Sequence, residues 1–182
     1  DPAAPAVVFA NGGGQTRHAW KAAAEAVALE GYRSIAMDLR GHGDSDWAAD
    51  GDYSLEAIAR DLMGIAEQLA PRGIRPHVAG ASLGGLAATV AAGRLSRDAF
   101  MSVTLFDIGP NMDAVGVTKV VGFMGAHIEN GFGSLEQVAY LFAIYLPHRP
   151  RPKDLNGLRK NLRQDNERRW RWRLDPAFIK DV

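Results

Sequence analysis

The sequence predicts an α/β fold, a parallel sheet flanked by helices, followed by a helical region from about residue 111. Two observations carry this. Four short apolar runs, Ala6–Ala10, Ser34–Met37, Pro76–Ala79 and Phe100–Phe106, are continuous rather than alternating, as strands buried on both faces must be. Helical patterns separate them, and a strand-to-strand spacing of about 25–40 residues fits right-handed crossovers.

The elements follow in order. After Asn11-Gly12-Gly13-Gly14, an Ala-rich stretch from Trp20 to Leu29 places Trp20, Ala24 and Val27 on one face and stops at Gly31. Ser54 caps a third segment in which Leu55, Ile58, Ala59, Leu62, Ile65, Ala66 and Leu69 recur at helical spacing, closed by Pro71. Ser82 to Leu95 reads as a helix of small residues, able to lie close against a sheet. Beyond Pro110 no further strand is expected. Ser134, with Gln137 three residues on, forms a capping box opening a helix to Leu146. Pro147, Pro150 and Pro152 then punctuate, and a basic helical stretch is expected from Asp154.

Composition narrows the function. The 182 residues are 47% apolar and 23% charged, a globular balance sufficient for one domain with an appendage. Lys plus Arg equals Asp plus Glu at 21 each, so no net field draws the chain to nucleic acid or lipid. Cysteine is absent, which excludes a disulfide framework, a Cys-ligated metal and a cysteine nucleophile. No run approaches a membrane span and the first residues lack a signal-peptide pattern, so a soluble, cytoplasmic protein is expected. Residues 149–173 hold ten Lys/Arg against three acids. With Trp170 and Trp172 interleaved they could suggest single-stranded nucleic acid, but an internally docked, Arg-rich stem answering the acidic remainder explains them without a ligand.

Three motifs carry chemistry. Gly80-Ala81-Ser82-Leu83-Gly84 is a G-x-S-x-G between a strand and a helix, the context in which a serine sits on a strained turn with its oxygen exposed above a helix N-terminus. Asn11-Gly12-Gly13-Gly14 frees backbone N–H groups that could hold the oxyanion of an acyl transfer. A nucleotide loop fails there, because Arg17 stands where the dinucleotide fingerprint requires glycine and no Gly-Lys-Ser/Thr follows. Asp38-Leu39-Arg40-Gly41-His42-Gly43-Asp44-Ser45 offers His42 as a base, but reads better as a turn whose Asp, Arg and Ser side chains satisfy its own backbone.

In their order along the chain, Asn11–Gly14, Asp38–Ser45 and Gly80–Gly84, the three motifs resemble the α/β-hydrolase fold superfamily. Leu105-Phe106-Asp107-Ile108-Gly109-Pro110 resembles the family's segment after the strand that follows the elbow helix, and Trp170 to Pro176 resembles the exit from its helical cap. The resemblance implies a core over 1–110 and a cap over 111–182. It implies Ser82 as nucleophile, the N–H groups of Leu83 and Gly13 as oxyanion hole, and Asn11, Gly12, Gly80 and Gly84 as supporting loop residues, Asn11 standing where the family usually has histidine. Asp107 is a candidate triad acid. His127 and His148 follow Ser82 but fall in the helical region, where surface or cap roles are expected.

The activity expected is hydrolysis of a small apolar carboxylic ester or lactone, without cofactor or metal. C–C or amide cleavage on the same scaffold, or a non-catalytic ligand-binding remnant, are the alternatives. The chain looks like a fragment, with strands expected before and after it. A C-terminal segment or second chain is expected to supply the histidine. Gln15, His18 and Trp20 could line a pocket, with packing expected for Trp20. Phe123, Met124, Phe132, Tyr140, Phe142 and Tyr145 could face the substrate or form cap core.

Overall fold

A computed structural model describes residues 3–109, 111–148 and 154–180. Pro110, Pro150 and Pro152, and the basic residues Arg149, Arg151 and Lys153, lie outside them. Four parallel strands, β1 (Ala6–Ala10), β2 (Arg33–Met37), β3 (His77–Ala81) and β4 (Ser102–Phe106), form one sheet in the order β2-β1-β3-β4. Burial on both faces explains the continuous apolar runs of the central strands β1 and β3, whereas the edge strand β2 is half-buried and the edge strand β4 is largely exposed. Val8 and Ala10 of β1, with Val78 of β3, pack against α2 (Leu55–Leu69) and α3 (Leu83–Val90) through Ile58, Leu62, Ala87 and Ala88. Phe9 and Ala79 point the other way, onto Trp20 and the Ala24–Val27 face of α1 (Lys21–Leu29).

The helix boundaries follow local chemistry. Ser54 Oγ accepts the Ala57 N–H at 3.2 Å and starts α2 as expected of an N-cap. Leu69 and the turn containing Pro71 close it. The small-residue helix α3 continues as a π-turn over Ala91–Leu95. The strand run reaches Ala81, past Gly80, because the backbone hydrogen-bonding partner β4 extends that far, with Ala81 opposite Phe106.

Helices α4 (Ala114–Gly125) and α5 (Leu135–Tyr145) follow. Ser134 Oγ accepts the Gln137 N–H at 3.2 Å, while Gln137 Oε1 reaches back to the Gly133 N–H at 2.6 Å, one residue earlier than a standard capping box. The expectations of no strand after Pro110 and of a basic helix from Asp154 are both overturned. A 3-10 turn over Leu155–Lys160 leads into an antiparallel hairpin of β5 (Leu162–Gln164) and β6 (Trp170–Trp172). Asp165 makes the turn: its Oδ1 accepts the N–H groups of Glu167 and Arg169, each at 2.9 Å, and Arg168 takes a left-handed φ of 61°. Helix periodicity cannot compete where an Asx turn and an alternating Trp-Arg-Trp strand act together.

The second half has its own core of Met124, Phe132, Leu135, Val138, Leu162 and Trp172, which also takes in Tyr53, Leu174 and Phe178. The basic stem is docked on it. Arg171 Nε meets Asp165 at 2.5 Å, Arg169 Nε donates to Asn130 O at 2.5 Å, and Arg159 lies 4.9 Å over Trp170. No helix of the described residues is long and apolar enough to cross a membrane.

Candidate active site

Register brings the two glycine motifs together. In the β1–β3 ladder Ala10 lies opposite Gly80, so the glycine loop from Asn11 and the turn at Ser82 leave the sheet side by side at the carboxyl ends of the strands. A Cβ built on Gly12 would lie 3.5 Å from Ser82 Cβ.

Ser82 occupies φ 44°, ψ −113°, a conformation L-residues adopt only under strain. It stands half-buried between β3 and α3. Its N–H donates to Phe106 O at 3.0 Å, and its carbonyl accepts the Leu86 N–H at 2.9 Å. Both flanking glycines are required by close backbone approach. A Cβ on Gly80 would sit 2.5 Å from Gly85 Cα, and one on Gly84 would sit 2.6 Å from Ala10 O. Leu83 opens α3, so its N–H has no intrahelical acceptor.

Asn11 organises the glycine loop. Fully buried, it donates from Nδ2 to Gly12 O and Gln15 O, both at 2.9 Å, and accepts the Leu39 N–H at 3.0 Å. Gln15 Oε1 occupies the Gly12 N–H at 3.2 Å, whereas the Gly13 N–H has no hydrogen bond among the described residues. Gln15 thus serves the loop, and Trp20 packs between Phe9 and Phe106, each ring 5.2 Å away.

The Asp38–Ser45 turn satisfies itself only in part. The buried Asp38 carboxylate accepts the Asp44 N–H at 3.0 Å, and Ser45 Oγ donates to Asp38 O at 2.7 Å. Arg40 instead reaches α2, with two bonds to the Asp61 carboxylate at 2.6 and 2.7 Å. Arg17, notable in the sequence only for excluding a nucleotide loop, pairs with both Asp38 and Asp44. This holds the Asp44 carboxyl below its usual range, through the Arg17 hydrogen bond first and the Arg173 charge second. His42 is fully buried. Its Nδ1 lies 2.9 Å from Arg40 O, its Nε2 has no partner among the described residues, and burial pushes its pKa down.

The remaining candidates are dispersed. Asp107, at φ 56°, is exposed just after β4, and its charge contributes, after burial, to raising the Tyr145 hydroxyl. His127 lies among Phe123 and Phe132, and His77 is bonded to Ser102 Oγ at 2.8 Å, at the amino-terminal end of β3. His148 is exposed beyond α5. None of the histidines hydrogen-bonds Ser82 among the described residues. Of the six residues offered as substrate-facing, Met124 reaches the glycine loop, its Cε 2.6 Å from where a Gly14 Cβ would fall. Phe123 stacks on Tyr145 and tilts against Phe142, Phe132 is core, and Tyr140 is exposed. The described residues contain no group of three or more His, Asp or Glu arranged to hold a metal.

A strained serine at a strand–helix junction beside a glycine loop, on a parallel sheet in this order, defines a family. The model for the alpha/beta hydrolase fold matches residues 5–134, and the chain belongs to that family. Among relatives it is 31% identical over 176 residues to the esterase Rv0045c of Mycobacterium tuberculosis, covering 94% of this chain and 57% of the esterase. A solved structure of that esterase superposes with a TM-score of 0.67 over 97% of this chain and 60% of that one. An alpha/beta hydrolase from Novosphingobium aromaticivorans, at 23% identity, shares the fold with a TM-score of 0.80 over 98% of this chain and 62% of its own. The chain therefore spans about three fifths of the length of the relatives it matches.

Proposed function

We propose that this chain carries the nucleophile and oxyanion hole of a serine hydrolase that cleaves a carboxylic ester or lactone through an acyl-enzyme. The observation that carries the reading is the strained Ser82, at φ 44° and ψ −113°, between the acceptor-free N–H of Leu83 and the glycine loop. The esterase relative supports the ester class.

Ser82 Oγ attacks the carbonyl carbon as its proton passes to a base. The carbonyl oxygen becomes an oxyanion, stabilised by the N–H groups of Gly13 and Leu83 and by the positive end of α3. Collapse expels the alcohol, which takes the proton from the base and leaves the acyl group on Ser82. Water, deprotonated by the same base, reverses the sequence and releases the acid.

The base is a histidine outside these residues, on a further segment or second chain, with Asp107 or another acid orienting it. The absence, among the described residues, of any histidine bonded to Ser82 and the greater length of the relatives both favour this. The region proposed as cap, 111–182, brings Met124 to the glycine loop.

In the active protein, Ser82→Ala should lower turnover of p-nitrophenyl acetate and butyrate by at least about 10³-fold, because the covalent step is deleted while the oxyanion loop remains. Retention of more than about a tenth of the activity would reject Ser82 as nucleophile.

A further inference from the structure

A second contact with the glycine loop comes from the far end of the chain. Residues 173–178 are clamped onto the Asp38–Ser45 turn. The Gly43 N–H donates to Arg173 O and the Asp175 N–H to Gly41 O, both at 2.8 Å, with His42 opposite Leu174. Arg173 adds an ion pair to Asp44. Asp175 is buried and fully engaged: Oδ1 accepts the Ala177 N–H at 2.9 Å, and Oδ2 accepts the Tyr53 hydroxyl, whose oxygen accepts the Ala48 N–H at 2.9 Å.

The Phe178 N–H donates to Asp175 O at 3.1 Å, so the same residue fixes where Phe178 starts. Its ring is held edge-on against His42, at 5.0 Å, and Tyr53, at 5.9 Å. The ring tip lies 3.6 Å from the point where a Cβ on Gly13 would project. Thus the ring closest to Gly13 is a buried aromatic packed against a buried acid–phenol pair.

We infer that Phe178, held by the Tyr53–Asp175 hydrogen bond, is the wall that limits the size of the substrate group lying along the glycine loop. This rests on the assignment of Ser82 and Gly13 given above. Phe178 is a specificity residue, and Tyr53 and Asp175 are positioning residues acting through it.

The test uses the active protein and the ratio of kcat/KM for a long ester to that for a short one. The acyl side is read with p-nitrophenyl octanoate against acetate, and the alcohol side with octyl against ethyl acetate. Such a ratio does not depend on how much of a variant is folded, because both esters report the same active molecules. Phe178→Ala should raise the ratio at least about tenfold in one series, since a few methylene-sized contacts discriminate by that much. Phe178→Leu should raise it less, and it decides the matter if the alanine variant does not fold. Tyr53→Phe, which keeps the ring but frees Asp175, should shift the ratio in the same series and direction. A ratio within about twofold of wild type in both series for the folded Phe178 variant, with turnover still dependent on Ser82, would overturn the inference. Turnover indifferent to Ser82→Ala would instead reject the nucleophile assignment.

Discussion

Two identical substitutions, Gly84→Ala and Gly64→Ala, should act in opposite directions. The Gly84 methyl group would fall 2.6 Å from Ala10 O and 2.8 Å from Ala10 C and Cβ, all on a central strand that cannot retreat. Either α3 moves off β1 or the strand bends, at a cost typical of overpacking, about 1–3 kcal/mol. At roughly 2–4 °C per kcal/mol for a chain of this size, the thermal midpoint drops by about 2–12 °C. Gly64, in the middle of α2, has nothing within 4 Å of its Cβ position. Alanine there removes unfolded-state freedom and should raise stability by about 0.5–1 kcal/mol. Activity separates them further. The Gly84 methyl displaces the helix that aims Ser82 and the Leu83 N–H, and a misplacement near 1 Å costs about 10²-fold. Thermal melts followed by circular dichroism, with p-nitrophenyl butyrate turnover on the same samples, check both. A Gly84→Ala protein that melts with wild type and turns over fully would refute the close approach of α3 to β1.

Gly13→Pro should lower turnover by about 10²–10³-fold with a small change in melting. Proline removes the N–H assigned to the oxyanion, the position lies outside the left-handed region, and the neighbouring Gly12 tolerates a following proline. Full turnover with unchanged melting would assign the oxyanion to other donors. The Tyr53 hydroxyl is pushed up to about 12, chiefly by burial and next by its bond to Asp175. Its neutral form is favoured by the fold. The resulting stability, about 3 kcal/mol, is present in full below the unfolded value near 10 and is lost as pH rises from 10 to 12. Denaturant midpoints across pH 8–12 should fall at the alkaline end in wild type and fall less in Tyr53→Phe; parallel curves would contradict the buried phenol–acid pair.

The sheet and the elbow were legible in the sequence because their signals are local. Continuous apolar runs mark β1–β4, Ser54 marks α2, and the glycines around Ser82 mark a turn no side chain can enter. The hairpin of β5 and β6 was missed although the alternation Trp170-Arg171-Trp172 carries a strand period. The dense basic run pointed to a helical stretch, and nothing in it marked Asp165 as the residue that makes the turn. Arg17 with Asp38, and Tyr53 with Asp175, were invisible for a different reason. The partners lie 21 and 122 residues apart, and no periodicity relates them. His42 shows the limit from the other side: its motif is conspicuous, but only three-dimensional packing shows that it is sealed beneath Phe178 rather than facing Ser82's surroundings as a base.

The central claim is that Ser82 is an activated nucleophile in a hydrolase site. Treating the active protein with a fluorophosphonate and mapping the adduct by peptide mass spectrometry tests it most directly. The account predicts a single stoichiometric phosphonyl adduct on the peptide containing Ser82, with activity lost in proportion to labelling and no adduct in Ser82→Ala. Full inactivation with the label on another serine, or an active protein that the reagent leaves unlabelled, would contradict it.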